Sequence, residues 1–154
     1  MHLTRPRLPS LPSAPSTPEL TLPPAFEAFY ATHVRCYQAY ARAHFAHPDT
    51  ADAVLRTAFG DLLAHWSAIV AALNPTAAAW DRYSAHIRRH ARPLPLRTGA
   101  RLQYQAIVLH RIAGCSVDDV AATTGEDPSK IRHILQTWPG REPDQAPYGA
   151  NATS

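Results

Sequence analysis

The run GCSVDDVAATTGEDPSKIRHIL, Gly114 to Leu135, carries the punctuation of a helix-turn-helix. Ser116 is an N-cap for a helix over 117–124, and Asp118 and Asp119 fall in its first turn, where carboxylates suit the positive end of the helix dipole. Val117, Val120 and Ala121 share one face. Gly125 stands where the turn needs a residue that tolerates positive φ. Asp127 then caps a second helix whose first position is Pro128, accepted there because that position needs no helical N–H. Ile131, Ile134 and Leu135 form its inner stripe, and Ser129, Lys130, Arg132, His133 and Gln136 lie opposite, as donors able to reach phosphates or base edges. Small Ala121 and Gly125 suit two helices that cross closely. The unit implies contact with DNA; the plainer alternative is a helical hairpin in a bundle with Lys130 and Arg132 solvated.

Moving back from this unit, a helix over about 100–113 places Leu102, Ala106, Leu109 and Ile112 on one face, as a support. RPLPLRTG, residues 92–99, reads as a short linker broken by Pro93 and Pro95. Before it, a helix over about 76–91 puts Trp80, Tyr83, Ser84 and Ile87 on one side and Arg82, Arg88 and Arg89 on the other. The Arg run continues through Arg92, Arg97, Arg101 and Arg111 with no acidic residue after Asp81 in that stretch. Guanidinium groups fork phosphates and aromatic faces accept unpaired bases, so Trp80, Arg82, Tyr83, Arg88 and Arg89 are candidates for a strand-gripping surface. The competing reading turns the aromatics into the core, because helical spacing pairs Trp80 with Ile87.

Earlier still, Val54, Leu55, Ala58, Phe59, Leu62, Leu63, Trp66, Ile69, Val70 and Leu73 predict one long apolar helix from about Thr50, stopped by Asn74 and Pro75. Phe26, Phe29, Tyr30, His33, Tyr37, Tyr40, Ala41 and His44 predict another over 25–47, with Pro48 ending it and its aromatic stripe serving as core.

Composition sets limits on this picture. The 154 residues allow one ordinary domain or two very small ones, and the 45% hydrophobic content, rich in Ala, favours helices. Many of the 15 prolines crowd the two ends, which predicts disorder over 1–24 and a flexible tail over 139–154. The net charge of +3 permits nucleic acid without requiring it. Cys36 and Cys115 are too few and too far apart in sequence for a disulfide framework, which suggests a reducing cytoplasm. No apolar run reaches a membrane-spanning length, and the opening MHLTRPRLPSLPS lacks a signal-peptide apolar core.

The order of parts resembles the extracytoplasmic-function sigma factors, the small two-domain initiation subunits of bacterial RNA polymerase. The resemblance covers about residues 25–137. FEAFYATHV is similar to the opening of the family's promoter-recognising domain, and ADAVLRTAFGDLLAHW sits where the family carries its polymerase-binding helix. NPTAAAWDRYSAHIRRHA looks like the segment that melts and grips the −10 element; QAIVLHRIAGCSVDDVAATTGEDPSKIRHIL looks like the domain that reads the −35 element. The resemblance implies an all-α fold of two small helical domains, 25–91 and 100–138, joined by the 92–99 linker. It also implies core RNA polymerase and promoter DNA as partners, with Asp52, Leu55, Arg56 and Phe59 as polymerase contacts. Ala53, Arg56 and Thr57 depart from it, standing where the family has Asp, Gln and Glu. That change removes a carboxylate and an amide from the expected docking face.

The alternative function is a degenerate sigma-like protein that keeps the fold for protein–protein contact, with an anti-sigma-type regulator, a second copy or polymerase as its partner. An enzyme is not expected. His86/His90 and His44/His47 have spacings that could hold two metal ligands, but no Cys or acidic residue completes either pair locally, and Arg88 and Arg89 would repel a cation. Neither cysteine has a nucleophile motif around it, there is no glycine-rich phosphate loop, and no cofactor is expected.

Overall fold

A computed structural model describes residues 21–140, and both Pro-rich ends predicted to be disordered fall largely outside the described residues. Every regular element described is helical. Helix α1, Pro24–His44, starts with proline at its first position and buries Phe26, Cys36, Tyr37, Tyr40 and Ala41. Pro48 does not end this helix. Phe45 is already extended, and Pro48 opens α2, Pro48–Ala64.

The long apolar helix expected from Thr50 to Leu73 is interrupted. Its backbone leaves helical geometry at His65, with φ −110 and ψ 16, and a short helix α3, Trp66–Val70, follows. The break swings Trp66 against Phe26 and Phe29, with ring centroids at 5.2 and 5.3 Å. Ile69 turns inward while Val70 and Leu73 stand in solvent. The apolar run is therefore longer than the core it faces, and only its first part obeys one stripe.

Helix α4, Pro75–His90, is capped by Asn74, whose Oδ1 accepts the Ala77 N–H at 3.0 Å. The support element is α5, Arg101–Ile107, which runs on into a π turn at Val108–Ile112 closed by Ala113 N–H to the Val108 carbonyl at 2.8 Å. Helices α6, Val117–Thr124, and α7, Pro128–Thr137, then form the expected pair.

One apolar core runs through all of these elements, from Phe26 to Leu135. At its centre Tyr37 meets Tyr83 at 4.3 Å and Trp80 at 5.2 Å between ring centroids. The Tyr83 hydroxyl donates to the Tyr37 carbonyl, and burial holds both phenols well above their ordinary pKa.

The halves on either side of residues 92–99 share this core. The Trp80 indole N–H donates to Gln105 Oε1 at 2.9 Å across the join. Residues 92–99 are themselves pinned: Leu94 N–H donates to the Tyr104 hydroxyl at 2.8 Å, and the Trp138 indole donates to the Arg97 carbonyl at 2.9 Å. Leu94 and Leu96 also pack against the core. The segment is proline-broken, as its sequence requires, but it lies along the protein rather than tethering two separate bodies.

The tightest join is at Gly125. Its φ is +76, and a Cβ there would lie 2.6 Å from the Ala77 backbone nitrogen. Gly114 has a similar φ of +78 but open space around it. Gly114→Ala therefore carries only the left-handed backbone cost, about 1 kcal/mol. Gly125→Ala carries that cost and a backbone clash, and we expect it to lose at least about 2 kcal/mol more in urea unfolding. Equal losses for the two variants would contradict the close packing of the turn on α4.

Candidate functional site

The outer face of α7 is built by its caps. Asp127 accepts the Ser129 N–H at 2.8 Å and also bonds the Ser129 hydroxyl, so the first turn is held at its N-terminus. Those two hydrogen bonds keep the Asp127 carboxyl below the usual carboxylate range. Behind it, Ser116 and Asp119 form a capping box on α6, and Gly125 turns the chain. Ile131 and Leu135 are buried, Ile134 is half-buried, and Ser129, Lys130, Arg132, His133 and Gln136 all stand exposed on the opposite side. Lys130 leans back to Glu126 at 3.2 Å, an i,i+4 pair. What this face offers chemically is a short row of hydrogen-bond donors with two cations on a rigid helix.

The α4 candidates divide differently. Trp80 and Tyr83 are 1% and 0% exposed, so their rings belong to the core and do not form a surface for unpaired bases. The cause is the helical spacing that sets them beside Ile87, together with the aromatic rings of α1 waiting opposite. Arg82 is also committed: its Nε and Nη2 fork Asp61 at 2.6 and 3.2 Å. Arg88 and Arg89 are exposed at the C-terminal end of α4, the end where the helix dipole favours cations. Arg89 lies 3.3 Å from His86 Nδ1. Burial, then the neighbouring His90 and Arg89, hold His86 below its ordinary pKa. Of the five candidates for a strand-gripping surface, Arg88 and Arg89 are exposed, Arg82 is half-exposed and paired with Asp61, and Trp80 and Tyr83 are buried.

On α2, Leu55 and Phe59 are buried. Asp52 is turned towards α1, where Gln38 donates to it at 3.4 Å and Arg42 at 3.3 Å. Arg56 is exposed, beside exposed Thr57 and Ala53. The exposed side of α2 therefore includes all three positions that depart from the sigma pattern. The predicted anchors Leu55 and Phe59 face inward because they occupy the 3.6-residue stripe.

Other residues are placed in ways the sequence did not reveal. His44 uses both ring nitrogens, bonding the Tyr40 carbonyl and the Tyr104 hydroxyl at 2.8 Å each. Asn74 has a second role besides capping, donating to the Gly125 carbonyl at 2.8 Å. Cys36 and Cys115, too few and too far apart in sequence to suggest a disulfide framework, are both free thiols and are neighbours in space, with sulfurs 3.1 Å apart. The packing of α1 against the π turn brings them together, and no local pattern announces a contact across 79 positions.

Comparison with known proteins adds no assignment: no family model, curated protein or solved structure matches the chain.

Arg82 gives a test that separates a structural cation from a DNA contact. Its hydrogen bonds hold the Asp61 carboxyl below the usual carboxylate range. The stability this pairing contributes is therefore fully present above the ordinary carboxylate pKa and is lost as pH falls through the lower folded value. Both side chains are partly exposed, at 39% and 28%, which limits the contribution to about 1 kcal/mol. Arg82→Gln should lose about that much at neutral pH, and the gap from the parent should close as the acid limb is reached. A gap constant from neutral pH down to full protonation of Asp61 would contradict the pairing.

Proposed function

We propose that this chain is a sigma-factor-like transcription regulator in which α7 contacts promoter duplex and the α1–α4 half contacts RNA polymerase. The observation that carries the reading is the capped, Gly-turned α6–α7 pair with its polar face outward, the arrangement by which a recognition helix enters a major groove. Ser129, Lys130, Arg132, His133 and Gln136 make the duplex contacts. Arg88 and Arg89 add non-specific attraction for the backbone. Arg56 is the exposed member of the α2 residues assigned to polymerase.

Magnitudes favour one duplex element at a time. Elements at −35 and −10 are about 25 base pairs apart, or roughly 85 Å at about 3.4 Å per pair. A small domain is about 30 Å across, well short of that separation, and residues 92–99 are pinned along it rather than drawn out. With the two halves sharing a core, α7 reads its own site and the rest of the chain does not reach a second.

A second reading, a degenerate sigma-like protein acting through protein–protein contacts, is favoured by three placements. Trp80 and Tyr83 are in the core, Arg82 is paired with Asp61, and Asp52 is engaged by α1. In that case polymerase, an anti-sigma-type regulator or a second copy is the partner and promoter DNA is not.

Binding of purified protein to duplex DNA and to core polymerase distinguishes the two. The first reading predicts measurable duplex binding at low salt. Replacing Lys130 and Arg132 by Ala should weaken it at least tenfold and flatten the slope of log affinity against log salt by about 0.9 for each phosphate no longer neutralised. Duplex affinity unchanged by that double substitution would remove α7 as the contact. No binding to duplex at low salt, with a folded helical protein, would leave only the second reading.

A further inference from the structure

Cys36 lies on α1, and Cys115 lies in the loop that leads from the π turn into α6. Each is 6% exposed, and their sulfurs are 3.1 Å apart with the Cys115 S–H donating to Cys36. The surroundings hold both residues in place. The Cys115 N–H donates to the Leu109 carbonyl at 2.9 Å, its carbonyl bonds His110 Nδ1 at 2.8 Å, and Ser116 immediately after it caps α6. One residue before Cys36, Arg35 pairs with Asp119 of the same capping box at 2.9 Å. Two independent contacts therefore fasten the same stretch of α1 to the start of the helix-turn-helix.

A dithiol in this position has two chemical uses, a soft metal or a disulfide. A bridging metal with sulfur bonds of about 2.3 Å in tetrahedral geometry sets its sulfurs nearly 4 Å apart and takes further ligands. Among the described residues no group of three His, Cys, Asp or Glu side chains could supply them. Disulfide formation needs only two sulfurs brought from contact to bonding distance.

We propose that Cys36 and Cys115 are an oxidisable pair, a modification site at which a small hydroperoxide converts two thiols into one intramolecular disulfide. Cys36 is the attacking sulfur. Its thiolate displaces one oxygen of the peroxide; the O–O bond breaks, Cys36 becomes a sulfenic acid, and the departing hydroxide takes a proton to leave as water. The Cys115 sulfur then attacks Cys36: the S–S bond forms, the S–O bond breaks, and the Cys115 proton leaves with the hydroxyl as a second water. Two thiols and one hydrogen peroxide thus give one disulfide and two waters, with two electrons passing from sulfur to peroxide oxygen.

The hydrogen bond from Cys115 lowers the Cys36 thiol against the opposing effect of burial and raises the Cys115 thiol, which makes Cys36 the sulfur that ionises first. Burial of both residues selects for an oxidant of near-water size. The product closes a loop of 79 positions, ties α1 covalently to the approach of α6, and restricts the unfolded chain accordingly.

The experiment treats the full reduced chain with hydrogen peroxide and follows intact mass, free thiols and Tm. We expect loss of two hydrogens in mass, disappearance of both thiols together, and a tryptic species joining the Cys36 and Cys115 peptides. Tm should rise by on the order of 10 °C, and dithiothreitol should reverse every change. Cys115→Ser should instead accumulate oxygen on Cys36 with no such Tm rise. Oxygen addition to the native chain without hydrogen loss would overturn the proposal, as would cross-linking between chains through these cysteines or unreactive thiols. If the serine variant does not fold, the mass and peptide map of the native chain still decide between these outcomes.

Discussion

The contact of Gly125 with the first turn of α4 is the constraint on which the rest of the molecule depends. A turn without a side chain lies against the Ala77 backbone, and Asn74 closes the join twice, capping α4 with its oxygen and holding the Gly125 carbonyl with its nitrogen. One side chain thus satisfies a helix terminus and a turn carbonyl that would otherwise need water. The helix-turn-helix is not a free module on a tether. Its inner helix packs on α4, and its outer helix projects its polar face away from that contact. Trp80 with Gln105 and Arg35 with Asp119 join the same two halves elsewhere, and Trp138 holds the segment between them at the Arg97 carbonyl.

That join explains how the side chains of α4 are distributed. Trp80 and Tyr83 lie at the meeting of α1, α2 and the support helix, where large rings fill volume that no aliphatic side chain of this region would fill. Once they are inside, the cations of α4 fall on its outer side, and Asp61 is close enough to take one of them. An aromatic-plus-arginine segment that suggests nucleic acid in one dimension thereby becomes, in three, mostly core and ion pair.

The helix-turn-helix was legible because its signals are local. Ser116, Gly125, Asp127 and Pro128 each act within a few residues, and the helix bounds follow from them. Helix α4 was legible for the same reason, between Asn74 and the prolines after Arg92. The break at His65 was not, since apolar residues continue across it and only the position of Phe26 and Phe29 decides where the stripe must turn. The π turn at Val108–Ile112 left no mark on a sequence whose apolar spacing fits an ordinary helix. Least legible were partnerships across long separations, such as Arg82 with Asp61, Asp52 with Arg42, and Cys36 with Cys115. Spacing rules register neighbours on one helix, whereas these pairs depend on how helices cross. The candidate recognition face required only the periodicity of α7, and its five residues are exposed as that periodicity required.

The aromatics of α4 serve the core, and the outward face of α7 is the duplex contact we propose. Backbone and indole resonances followed by NMR while a mixed-sequence duplex is added at low salt would test it most directly. The expected result is shifts concentrated from Ser129 to Gln136, with the Trp80 indole N–H unmoved in its bond to Gln105. Shifts centred on Trp80 and Tyr83, with α7 silent, would contradict it.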